Sequence, residues 1–98
     1  MEKDEKWKDF FIRVIPDERI KPCHISLYAA LVHCWEKGEW RNPASVTRRE
    51  LMQLSHIYST PTYHKHMLEL VDFGFIQYLP SYNPFLGSLV YFNEVGVF

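Results

Sequence analysis

Two Cys–His pairs, Cys23–His24 and His33–Cys34, are the residues of this 98-residue chain whose types first suggest chemistry. Thiolate and imidazole are common zinc ligands. Their spacing argues against a shared ion. In a helical segment the pairs lie about 15 Å apart along the axis, at roughly 1.5 Å per residue. Zinc needs its ligands near 2 Å. His56, His64 and His66 also fail as a set, because residues two apart on a helix do not face each other. Cys34 reads better as a small buried hydrophobe. No nucleophile–base pattern, phosphate-binding glycine loop or paired-carboxylate signature is present, and glycine occurs only four times. The expectation is no catalytic residue, no metal, no cofactor and no small-molecule ligand, hence not an enzyme.

The remaining chemistry is that of anion contact. Arg48 and Arg49 stand together where a helix should begin. That end of a helix favours acidic side chains, so two cations there point to an anionic partner. Arg41 is a third candidate. Further on come Ser59, Thr60, Pro61, Thr62, His64 and Lys65. Hydroxyls and helix N-termini contact phosphates or base edges. Lys65 supplies charge, and His64 donates or accepts. The plainer readings are a solvated arginine pair and an ordinary polar face.

The bulk numbers bound these ideas. The length suits one domain spanning 1–98. Apolar residues make up 47% and aromatics 16%, which excludes disorder. Formal net charge is −1 at pH 7, so nucleic-acid binding must rest on a local patch. Two cysteines make no disulfide framework. The start, "MEKDEKWKD", lacks the apolar core of a signal peptide, and no apolar run reaches membrane-spanning length. A soluble, cytoplasmic protein without membrane contact is expected.

The elements that must position these residues follow from periodicity. Trp7, Phe10, Phe11 and Val14 repeat as one helix face, with Asp4 as cap and Pro16 as terminator. A strand through "FFIRVI" competes. "HISLYAALVHCWEKG" predicts a helix capped by Ser26 and stopped at Gly38. Tyr28, Leu31, Val32 and Trp35 form its stripe, broadened by Leu27, Ala30 and Cys34. "ASV" reads as a very short strand. "TRRELMQLS" starts with a Thr47–Glu50 capping box and turns Leu51 and Leu54 inward. After "HIYS" a further helix is capped by Thr60, with Pro61 at its first position and Tyr63, Met67 and Leu70 inward. Gly74 closes it. "FIQYL" and "SLVYF" alternate as strands around "SYNPFLGS".

This order predicts an α+β, mostly α fold: a winged helix-turn-helix with a C-terminal β-hairpin wing and an extra N-terminal helix. Its parts are 1–22 (N-terminal helix and connector), 24–74 (helical core with the helix-turn-helix), 75–92 (wing hairpin) and 93–98 (tail). In such a frame Ser81, Tyr82, Asn83 and Ser88 sit on the wing. Asn83–Pro84 and Gly87 supply its turn, and Tyr82 and Phe85 fold back to anchor it. Val71 and Phe73 occupy positions that are usually polar and suggest a second protein surface, which the tail "EVGVF" could cover.

The stretch "TRRELMQLSHIYSTPTYHKHMLELVDFGFI" resembles the core of winged-helix regulators, with Tyr63 at the inward position of the second helix. Most of the chain resembles small winged-helix proteins of conjugative transposons and related mobile elements of anaerobic gut bacteria. "HISLY", "TYH" and "PSYNPF-x-GS", in that order, carry the likeness. The resemblance implies a DNA-binding role in regulation, excision or transfer of such an element. One departure stands out: the residue between Phe85 and Gly87, often basic in the family, is Leu86.

The expected partner is double-stranded DNA, with the second helix of the motif in the major groove. Arg48, Arg49, Ser59, Thr60, Thr62, His64 and Lys65 are the expected DNA-binding residues. A homodimer through the N-terminal helix aromatics is the further expected partner. The alternative is a winged-helix protein–protein interaction module without DNA binding, suggested by the near-zero charge and the uncharged wing.

Overall fold

The computed structural model describes residues 7–81 and 87–93. Among these residues four helices and three strands follow one another as α1 (Phe10–Val14), α2 (Pro22–Lys37), β1 (Ala44–Val46), α3 (Arg48–Ser55), α4 (Thr60–Asp72), β2 (Ile76–Leu79) and β3 (Ser88–Phe92). It is a small α+β fold, mostly helical. The strands form one antiparallel sheet in the order β1-β3-β2. Ile76 faces Phe92 and Leu79 faces Leu89 across the β2–β3 hairpin, while Ala44 faces Val90 across β1–β3.

The first helix departs from its expected face. Residues 10–14 wind as a π-helix, with Ile15 N donating to Phe10 O at 3.1 Å. Phe10 and Val14, four residues apart, share the inward face. Phe10 and Val14 are buried, but Phe11 is 60% and Ile12 72% exposed. Phe10 stacks on Tyr28, and the Arg13 guanidinium donates to the Asn93 carbonyl at 2.9 Å. Asp4 lies outside the described residues.

The long apolar segment begins four residues before its expected cap. Pro22 occupies the first helical position, where its missing N–H costs nothing. His24, not Ser26, serves the cap: its Nδ1 accepts the Lys21 backbone N–H at 2.9 Å. Ser26 Oγ instead donates to the Ser55 carbonyl and pins α2 to the end of α3. The expected stripe is otherwise inside, with Leu27, Tyr28, Ala30, Leu31, Val32, Cys34 and Trp35 all buried. Trp35 stacks face to face on Phe92 at 4.0 Å, which seats the sheet on α2.

Only half of the expected capping box forms on α3. Thr47 Oγ1 accepts the Glu50 N–H at 3.1 Å, but the Glu50 carboxylate turns away to Lys37 Nζ at 2.8 Å. Leu51 is buried, whereas Leu54 is 39% exposed, because an eight-residue helix turns only one edge inward. The turn into α4 starts at His56, in left-handed conformation with φ 61°. Ser59, one residue before the expected Thr60, caps α4 and accepts the Thr62 N–H. Tyr63, Met67 and Leu70 are wholly buried. Val71 and Phe73 are half-buried against the core rather than free, with the Phe73 ring covered by the Arg19 guanidinium. No helix among the described residues is long and apolar enough to cross a membrane.

Candidate nucleic-acid interface

The start of α3, the first turns of α4 and the hairpin strands surround a concavity of about 380 Å³. Thr47, Arg48, Arg49, His64, Tyr78, Pro80, Ser81, Gly87 and Ser88 line it. Five of the residues singled out in the sequence therefore converge: Arg48, Arg49, His64, Ser81 and Ser88. Thr47 caps α3 and so puts both arginines in its first turn. The antiparallel register sets Ser88 at the start of β3, opposite Val46 of β1.

Both arginines are exposed, and neither forms an ion pair with a described residue. Tyr78 bridges the helical and hairpin walls: it donates to Ser88 Oγ at 3.4 Å and lies beside the buried Tyr63. Burial, with Tyr78 as a lesser cause, pushes the Tyr63 phenol up, so Tyr63 stays protonated. Ser88 Oγ also accepts the Ser81 backbone N–H at 3.3 Å, which closes the described base of the hairpin. Tyr82 and Asn83, like Phe85 and Leu86, lie outside the described residues.

The other expected contacts are placed differently. Thr60 and Lys65 are exposed near the start of α4 but outside the concavity. The Ser59 hydroxyl is engaged in the cap and also accepts from Thr62 Oγ1 at 3.1 Å. Thr62 is half-buried on the stripe it shares with His66 and Glu69. Arg41 does not join Arg48 and Arg49. It lines a second concavity with Cys34, Lys37, Gly38, Pro43, Ala44, Ser45 and Glu50. There the Lys37 ammonium holds the Glu50 carboxyl below its ordinary range. Burial, and secondarily Glu50, pushes the Cys34 thiol up to about 12, so it is no nucleophile.

One constellation escaped the sequence altogether. His24, His66 and Glu69 meet between α2 and α4, with one ligand-capable atom of each within 4.8 Å of the others. His24 Nε2 and Glu69 Oε1 are 2.7 Å apart. The two histidine rings meet edge to face at 4.7 Å between centroids. Burial lowers the His24 pKa, against the opposing pull of Glu69. His24 also sits under Phe73, which closes the apolar side of the group. The only sequence signal was the one-turn spacing of His66 and Glu69.

No family model, curated protein or solved structure matches the chain.

Proposed function

We propose that this chain is a winged helix-turn-helix protein that binds double-stranded DNA, with α3 and α4 as the helix pair and the β2–β3 hairpin as the wing. The element order and the β1-β3-β2 sheet support the fold reading. The observation that carries the functional reading is the concavity holding Arg48, Arg49, His64, Ser81 and Ser88. Two guanidinium groups with no ion-pair partner among the described residues, an imidazole and the Ser81 and Ser88 hydroxyls suit one or two backbone phosphates. Thr60, His64 and Lys65 then face the major groove from the start of α4. A net charge of −1 confines the attraction to this face. The role in regulating, excising or transferring a mobile element rests on the resemblance alone.

The test is a fluorescence-anisotropy titration of the full chain against duplex DNA from its own gene neighbourhood, at about 50 mM and about 200 mM salt. Saturable binding at low salt, weakened several-fold by Arg49→Ala and by Lys65→Ala, is expected. Undetectable binding at low salt, or affinity unchanged from wild type in both variants, discards the reading. Adjacent exposed Phe11 and Ile12 favour the second reading, a protein-interaction module or homodimer through α1. Sedimentation equilibrium decides the homodimer: a dimer abolished by Phe11→Ser supports that interface, and a monomer removes it.

A further inference from the structure

The group at the α2–α4 contact has the composition of a metal site. We propose that His24, His66 and Glu69 bind one divalent transition-metal ion, Zn²⁺ foremost. The donor set is two imidazoles and a carboxylate, which suits zinc. His66 and Glu69 lie one turn apart on one face of α4, and His24 reaches them from the first turn of α2. Three protein ligands leave a fourth position for water on the side where His66 and Glu69 are half-exposed.

The hydrogen bonds say how each ligand would serve. His66 is ready: its Nδ1 is 2.8 Å from the Thr62 carbonyl, which accepts only, so Nδ1 carries the proton and Nε2 keeps its lone pair. His24 is in the opposite tautomer. Its Nδ1 accepts the Lys21 N–H, so its proton sits on Nε2 and is donated to Glu69 Oε1. An ion entering between them takes over both Nε2 and the carboxylate oxygen. The imidazole proton moves to Nδ1, and the Lys21 N–H loses its acceptor. The ring stays neutral, and two hydrogen bonds are exchanged for three coordinate bonds. The N···O separation must open only from 2.7 Å to about 3.3 Å, the span of two bonds of roughly 2 Å at the tetrahedral angle. Lys21 opposes the ion, but it is exposed and its field is screened by solvent. Metal binding and the α2 cap are thus mutually exclusive. The ion would loosen the connector that leads to α1.

This inference stands apart from DNA binding. It is tested by titrating the full chain with ZnCl₂ alone by calorimetry, and by recording imidazole ¹⁵N spectra. One ion per chain is expected, with binding weakened at least about tenfold by His66→Ala and by Glu69→Gln, the size of effect seen when metal-site groups are altered. The His24 proton should move from Nε2 to Nδ1 as zinc is added, with a shift of the Lys21 amide. His24 is buried and its replacement risks the fold, so the two half-exposed ligands carry the test. No stoichiometric binding overturns the proposal. So does binding indifferent to both variants, which places zinc on other side chains of the chain. A His24 ring that keeps its Nε2 proton when zinc is bound also overturns it.

Discussion

Gly87 and Gly74 both hold left-handed backbone, at φ 69° and 87°, yet they differ in what a methyl group would meet. A Cβ on Gly74 meets nothing within 4 Å. A Cβ on Gly87 would lie 2.8 Å from the Val46 carbonyl oxygen and 3.3 Å from Ser45 Oγ. Val46 is held in β1 by its pairing with Ser88, so its carbonyl has little room to retreat. An alanine in left-handed conformation costs about 1–2 kcal/mol. Reduced freedom of the unfolded chain returns about 0.4–1 kcal/mol. Gly74→Ala should therefore destabilise by about 1 kcal/mol. Gly87→Ala adds the overpacking of a backbone contact, about 1–3 kcal/mol, for a total of about 2–4 kcal/mol. Against a stability of about 5–15 kcal/mol both variants still fold. Urea melts with linear extrapolation give the two values, provided the slopes agree. For a domain of this size each kcal/mol lowers Tm by roughly 4–8 °C, which separates the variants clearly. Gly38→Ala is the control. Its φ is −85° and its nearest contact 3.6 Å, so it should stay within about 0.5 kcal/mol of wild type. If Gly87→Ala is no worse than Gly74→Ala, the close approach of the hairpin to β1 does not exist in solution.

The concavity predicts a salt signature. Arg48→Ala with Arg49→Ala should reduce the slope of log K against log salt by about 1.8, at roughly 0.9 per phosphate contact. Thermal melts should show little loss in that variant, because both arginines are exposed and unpaired with described residues; a large loss instead assigns them a structural role. Met67→Ala removes a side chain with no exposed surface and should cost about 2–5 kcal/mol by denaturant titration; a cost under 1 kcal/mol contradicts its place in the core. In native protein, Ellman's reagent should modify the half-buried Cys23 and leave Cys34 untouched, since Cys34 is 6% exposed and its pKa lies at about 12. Two fast thiols would refute that burial.

Much of this protein was legible in its sequence because the signals are local. The Tyr28–Leu31–Val32–Trp35 and Tyr63–Met67–Leu70 stripes repeat at helical spacing, and all seven residues are buried. Thr47 capped α3, α2 ended at Gly38, and Gly74 followed α4 in the left-handed conformation that glycine favours. Such preferences act within about one helical turn, so the chain states them directly. The errors also have local causes. Residues 10–14 wound as a π-turn with Phe11 facing out, and α2 found its cap in the imidazole of His24 rather than a hydroxyl.

What the sequence alone determined is the order of elements and the inward face of the long helices. What only the tertiary structure decided is which polar groups meet. Glu50 left its own helix terminus for Lys37, thirteen residues away, and Arg41 went to a different concavity from Arg48 and Arg49. His24 met Glu69 across forty-five residues. Hydrophobic periodicity is read along one helix, but the meeting of polar side chains depends on how two helices cross and in what register. No spacing along the chain encodes that crossing.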